Sequence, residues 1–450
     1  MSDTNVTEGV HTYSNEKAYI APEEALLQQR LEWFKDQKLG LMMHWGPYSQ
    51  LGLVESWALS DADAEWSRED VDWVKDATMF KQQYVDLNKS FNPLRFQPEE
   101  WADLAKENGF KYLVFTTKHH DGFAMWDTQT TDYKVTGNAC PYRTNPNADV
   151  CKQLFDAFRE RGLAISAYFS KADWHVPSYW DKESERTSRG PSYDPAEDPE
   201  RWELFVQFTH EQMLELLTEY GRIEVLWLDA GWVSAKNKQD IRLGDVIEKA
   251  RRTQPWLLAA DRTVGGRYEN IITPEQMVPQ DPIYVPWESC ITMGSAFSFR
   301  YEDDYKSARA LVHLLIEVVA KGGNLALNVA PQPDGRLPKG AVQSMKGLGA
   351  WLNHYGEAIY ATRPVAPYFQ EKIAFTSKGN TVYCFLLLHK QEEMDGRKAT
   401  IPYLEEVTQI EWMHDGRELA FQRSTSGIEL ELPHWEEDET VAHAYVLKLT

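Results

Sequence analysis

From about residue 30 to residue 356 the chain alternates short runs that are apolar on both faces with amphipathic stretches, and this repetition limits the fold more than any other feature. Runs apolar on both faces suit strands covered by helices on each side, which is the situation in a parallel sheet. The pattern predicts strands over Leu39–His44, Tyr112–His119, Ala164–Ser170, Ile223–Asp229, Leu257–Arg262, Tyr284–Glu288 and Asn324–Val329. Between them, Met213, Leu216, Leu217 and Tyr220, and again Leu311, Leu314, Leu315 and Val318, carry the i, i+3, i+4, i+7 spacing of a helix with one buried face. Gly109, Gly162, Gly221 and Gly322 stand where such helices would close before the next strand. Seven strands, with one more degenerate, fit an α/β fold of the (β/α)8 (TIM) barrel type; an open doubly wound sheet is the alternative. No GxGxxG or GxxxxGK[ST] motif follows a strand, which weighs against nucleotide-binding versions of that alternative.

After about residue 360 the helical period disappears. Short alternating runs and the Asp415-Gly416 turn signal predict a C-terminal antiparallel β-sandwich over 361–450, following a catalytic barrel with an N-terminal extension over 1–360. The sandwich is expected to act as a structural brace. The polar stretch Asp181–Arg201 reads first as a solvated loop and second as the rim of a site.

Charge and cysteine content remove whole classes of function. With 47 basic against 69 acidic residues and a net charge of −22, the chain repels nucleic acid and anionic membranes. No apolar run reaches the 18 or so residues of a membrane span, so no membrane partner is expected. The first residues lack a basic and apolar leader, which makes the cytoplasm the default expectation, although a removed signal peptide would leave the same appearance. Cys140, Cys151, Cys290 and Cys384 lack CxxC spacing, so neither a disulfide scaffold nor structural zinc is expected.

In a parallel barrel, side chains from different strands converge at the strands' carboxyl ends. Read in that light, the strand ends present His44, His119 and His120, Tyr168, Trp227 and Asp229, Arg262 and Glu288. Two carboxylates on separate strands suit glycoside hydrolysis, with Asp229 as nucleophile and Glu288 as proton donor. Arg262 and a nearby histidine would keep Asp229 ionised despite an apolar setting. His44, His119, His120 and His175 could donate hydrogen bonds to hydroxyls or ligate a metal. The absence of HExxH and of a His-x-His pair on the first strand favours the former.

The segments HWGPYSQLG with Trp57 downstream, KHHDGFAMWDT, YFSKADWH, VLWLDAGW, PWESCITMG and NLALNVAPQPDG, in this order, resemble the α-L-fucosidases of glycoside hydrolase family 29 over roughly residues 30–360. The resemblance implies a (β/α)8-like barrel with a C-terminal β-sandwich and retaining hydrolysis of terminal α-linked L-fucose through a covalent intermediate on Asp229. It further implies no metal and no organic cofactor, and a fucosylated oligosaccharide or glycoconjugate as the partner, with a homo-oligomer left open. His44, Trp57, His119, His120, Tyr168, Trp227 and Arg262 fall at positions that surround the sugar in this family, and His175 and Trp287 are added as candidate contacts. Family members often carry Glu immediately before the tryptophan. Here the order is Glu55-Ser56-Trp57, so Glu55 becomes a candidate contact. PWESCITMG makes Glu288 the preferred acid/base, with Glu269 and Glu275 as fallbacks, and Trp57, Trp227 and Phe297 would wall the sugar's methyl. A metal-dependent barrel hydrolase and a noncatalytic sugar-binding protein are the rival readings.

Overall fold

The protein is described by a computed structural model covering residues 5–8, 11–60, 62–68, 71, 74, 76–183, 187–389, 397–435 and 442–450. It begins with a two-stranded hairpin, β1 (Asn5–Glu8) and β2 (His11–Ser14), and helix α1 (Ala25–Gln37). Then come β3 (Leu39–Met43), α2 (Ala77–Val85), α3 (Pro98–Glu107), β4 (Tyr112–Lys118), α4 (Val150–Glu160), β5 (Ala164–Ser170), α5 (Pro199–Glu219), β6 (Val225–Asp229), α6 (Leu243–Arg251) and β7 (Leu258–Asp261). The series ends with β8 (Glu288–Thr292), α7 (Ala308–Ala320), β9 (Asn324–Asn328) and α8 (Lys339–Tyr355). Strands β3 to β9 form one parallel sheet in the order β7-β6-β5-β4-β3-β9-β8. All four helix-closing glycines named above take positive φ, between 71° and 94°.

The sheet is a barrel with one strand missing, and the gap is filled by irregular chain. No helix separates β7 from β8. The segment from Glu269 to Gln276 lies between them, bridging Ala260 at Glu269, Trp287 at Ile272 and Cys290 at Glu275. Asn270 N–H donates to Ala259 C=O at 2.8 Å, Glu288 N–H to Ile272 C=O at 2.9 Å, and Gln276 N–H to Cys290 C=O at 2.9 Å. The degenerate eighth strand is therefore this segment. Its hydrogen bonds satisfy part of two edges that would otherwise be bare.

Alternation along the strands stacks the interior in layers. Gly40, Tyr112, Val225, Glu288 and Asn324 start their strands or lie close to the start. Met42, Val114, Trp227, Cys290 and Ala326 follow two residues on, and His44, Asp229, Thr292 and Asn328 two further. Helix α1 closes the lower end, with Leu27, Leu31 and Phe34 packed in the same buried cluster as Tyr112, Val114 and Trp227. Gly40 is needed there because a Cβ at this position would lie 2.2 Å from the Tyr112 ring.

This layering corrects the assignment of Glu288. It was expected to end a strand over Tyr284–Glu288, but it begins β8, and so stands at the floor rather than the mouth. Pro286 cannot donate a ladder hydrogen bond, and pairing with β9 begins only at Glu288, opposite Asn324. The Glu288 carboxyl is buried and accepts hydrogen bonds from Tyr112 Oη and, at 3.0 Å, from Trp227 Nε1. Trp287 is also buried, with its ring against Gly323.

Beyond the barrel, β10 (Arg363–Gln370), β11 (Ile373–Lys378), β12 (Thr381–Leu387), β13 (Lys398–Ile401), β14 (Ile410–Trp412), β15 (Arg417–Glu418), β16 (Phe421–Ser424), β17 (Gly427–Glu431) and β18 (Ala444–Leu449) form two antiparallel sheets, of six and three strands. The Asp415-Gly416 turn joins β14 to β15, with Trp412 paired to Arg417. Helix α7 packs against β10 and β11. All four cysteines are buried free thiols. Among the described residues no helix is long and apolar enough to cross a membrane.

Burial pushes the Glu288 carboxyl up to about 7, against the hydrogen bonds from Tyr112 and Trp227 that favour its charged form. The native state therefore holds this proton between roughly pH 4.5 and 7 while the unfolded chain releases it, and wild-type stability falls with rising pH across that window. Glu288→Gln removes the effect. Its stability relative to wild type is expected to increase from pH 4.5 to 7 by up to about 3 kcal/mol and then level off, as measured by urea unfolding at several pH values.

Candidate active site

Asp229 ends β6 and reaches the barrel mouth, where four groups hold it. Tyr168 Oη donates to Oδ2 at 2.5 Å, Ala230 N–H to Oδ1 at 2.7 Å and Arg262 Nη1 to Oδ1 at 3.2 Å, while His120 Nε2 lies 3.9 Å from Oδ2. Burial alone would raise its pKa. The charge of Arg262 foremost, then His120 and the Tyr168 hydroxyl, outweigh that penalty and hold the carboxyl well below the usual range. It is thus an ionised carboxylate with little access to water, which a nucleophile requires.

Arg262 lies just past β7 and bridges two carboxylates, contacting Glu275 as well as Asp229. Glu275 is carried to the mouth by the irregular eighth strand, opposite Cys290 of β8. The cavity between them has a volume of about 360 Å3 and is lined by His44, Glu55, Trp57, His119, Tyr168, Arg189, Trp227, Asp229, Trp232, Arg262, Glu275 and Phe297, among others. Of the sequence-derived set, His44, Glu55, Trp57, His119, Tyr168, Trp227, Asp229 and Arg262 line this cavity, and His120 adjoins it through Asp229 and the Trp57 ring. Glu288, Trp287 and His175 do not. His175 is stacked on Tyr133 at 3.9 Å, away from the cavity. Glu269 lines a neighbouring cavity instead, where it accepts hydrogen bonds from Ser14 Oγ, Gly265 N–H and Thr263 N–H.

The three mouth histidines are each fixed through Nδ1. His44 meets Asn328 Oδ1 at 2.8 Å, His119 meets Ser56 Oγ at 2.6 Å and His120 meets Ser170 Oγ at 2.7 Å. Burial drives all three below the usual imidazole range, His44 and His120 to about 4, so they are neutral at pH 7. On a regular strand His119 and His120 would face opposite ways. They lie instead just past β4, whose register shifts between Thr116 and Lys118, and their rings sit 4.1 Å apart. His119, His120 and Asp229 each offer a ligand atom, all within 4.8 Å of one another. The same carboxylate already accepts Arg262, so a divalent cation bound there would face a buried guanidinium. The donor set fits a hydrogen-bonded carboxylate better than a metal centre.

Glu55 is fully enclosed, accepts Ser298 N–H at 2.6 Å and is pushed up to about 8, mainly by burial and further by the charge of Glu275. Its backbone adopts φ 37°, and Ala230 and Thr263, which follow Asp229 and Arg262, adopt 65° and 62°. Left-handed backbone at non-glycine residues is uncommon and costs free energy, and three of the ten such positions among the described residues adjoin this cavity. Arg189 and Trp232 were missed in the sequence. Arg189 lies in the Asp181–Arg201 stretch, which thereby contributes to the rim, and its guanidinium stands 5.2 Å from the Trp57 ring centre and 5.4 Å from that of Trp232. Only the rim reading of that polar stretch hinted at it.

Residues 7–357 match the family model described as Alpha-L-fucosidase. Human plasma alpha-L-fucosidase is 29% identical over 350 residues, covering 73% of this chain and 69% of that protein. The solved structure of alpha-L-fucosidase isoenzyme 1 from Paenibacillus thiaminolyticus is similar with a TM-score of 0.76 and 29% identity, covering 95% of this chain and 99% of that one. The Thermotoga maritima alpha-fucosidase in complex with fucose is similar with a TM-score of 0.74 and 26% identity, covering 97% and 98%. A barrel with an ionised carboxylate at its mouth, matched over most of its length to these proteins, belongs to the α-L-fucosidase family of glycoside hydrolases.

Proposed function

We propose that the protein hydrolyses terminal α-linked L-fucose from fucosylated glycans with retention of configuration, using Asp229 as nucleophile and Glu275 as acid/base. The observation that carries this reading is the Arg262 guanidinium shared by the two carboxylates across one cavity. An Asp229 oxygen attacks the anomeric carbon as the bond to the leaving oxygen breaks, and Glu275 gives that oxygen its proton. Water then attacks the same carbon, passes a proton to Glu275 and frees Asp229. For its first task Glu275 must part from Arg262, and a sugar entering between the two would separate them.

The neutral histidines and Tyr168 supply hydrogen bonds to sugar hydroxyls, and Trp57, Trp227 and Phe297 supply apolar wall for the methyl at C5. Glu55, protonated at pH 7, can donate to a hydroxyl where a carboxylate could only accept.

Azide separates the two carboxyl roles. Asp229→Gly is expected to lose at least about a thousandfold in kcat on an aryl α-L-fucoside, and azide should restore turnover with inverted, β-L-fucosyl azide as product. With Glu275→Ala, azide should instead yield the retained α-L-fucosyl azide. Rescue of Glu55→Ala in place of Glu275→Ala would move the acid/base to Glu55, and full activity of Asp229→Gly would end the reading.

The protonation of Glu55 gives a separate check. Above about pH 8 it ionises beside two other acids, so kcat/KM should fall on the alkaline side with an apparent pKa near 8. In Glu55→Gln that limb should be absent, as read from kcat/KM between pH 6 and 10.

A further inference from the structure

Two larger cavities adjoin the sugar pocket, and only one of them contains the proposed proton donor. The first, of about 650 Å3, shares Gly231, Trp232 and Thr263 with the pocket. Its carboxyl is Glu269, already occupied by Ser14 Oγ and two backbone N–H groups. The second, also about 650 Å3, shares Glu55, Trp57, Arg189, Glu275 and Phe297 with the pocket and extends outward to Trp66, Gln276 and Arg300. A proton donor has to touch the oxygen of the bond being cleaved, so the departing group must lie on its side. That places the departing group in the second cavity.

Trp66 is the feature of this cavity that burial does not account for. It sits on a short 3-10 turn, Glu65–Arg68, with 55% of its surface exposed, in a protein whose tryptophans are mostly buried. The turn is held in place against the opposite rim. Arg189 N–H donates to Asp63 Oδ2 at 2.5 Å and Ala62 N–H to Thr187 C=O at 2.9 Å, so two of the loops that line the cavity are tied together. An exposed indole beside guanidinium, amide and carboxyl groups suits a pyranose, whose C–H face packs on the ring while its hydroxyls meet the polar groups.

We infer that Trp66 is a specificity-determining residue, the stacking platform for the sugar that carries the scissile oxygen. The inference rests on the reading of Asp229 and Glu275 given above. α-L-Fucosyl fluoride, whose leaving group is too small to reach Trp66, serves as the reference substrate. It is compared with a panel of α-L-fucosyl disaccharides ending in galactose, glucose or N-acetylglucosamine.

Trp66→Ala is expected to lower the ratio of kcat/KM for the best disaccharide to that for the fluoride by about tenfold, and Trp66→Phe should recover most of the ratio. An equal loss on both substrates, an unchanged ratio, or a wild-type enzyme that cleaves the fluoride but no disaccharide would overturn the assignment while leaving the catalytic pair intact. A wild type inert toward the fluoride and every disaccharide would overturn the proposed function, and the assignment with it.

Discussion

The contact on which the site depends is the Arg262 guanidinium lying between Asp229 and Glu275. A carboxyl as enclosed as Asp229 would favour its neutral form, and a neutral carboxyl is a poor nucleophile. The fixed cation reverses that preference, and Tyr168 and Ala230 N–H hold the carboxylate in position. Everything else at the mouth fits around a charged acid and its cation. The histidines are neutral and each is pinned at Nδ1, so they add hydrogen-bonding capacity without competing for the negative charge.

Much of this was legible in the sequence because it depends on periodic burial. Runs apolar on both faces located the parallel strands, and Ala164–Ser170 was placed to the residue. The strand ends then named Asp229, Arg262, Tyr168 and the His119-His120 pair, since carboxyl ends converge in a barrel. What failed was the step that depended on a boundary. Glu288 follows an apolar run and so looks like a strand's last residue. The run before it holds Pro286 and stays outside the ladder, while the buried strand is Glu288–Thr292. An error of one strand length moved a carboxyl from the floor to the mouth.

Glu275 was harder to see for a related reason. The segment from Glu269 to Gln276 pairs with β7 and β8 through scattered bonds, so it carries no alternating pattern and resembles a loop. Arg189 and Trp66 lie in loops whose positions follow from contacts between distant parts of the chain, such as Arg189 N–H with Asp63. Local sequence has no period from which to read them. The adjacent histidines show the same limit, since strand alternation would have sent one outward, whereas both lie past the end of β4 at Lys118 and are free of that alternation.

The substitute eighth strand also divides the site into a conservative half and a plastic one. Asp229 is built into a continuous ladder, where an insertion of one residue would turn every following side chain to the other face of the sheet. The stretch bearing Glu275 has no regular register to lose and no helix between it and β8. Chain can be added or removed on either side of it without disturbing the layers beneath. A barrel built this way can change the length and course of the arm that carries Glu275 while the ladder that holds Asp229 stays fixed.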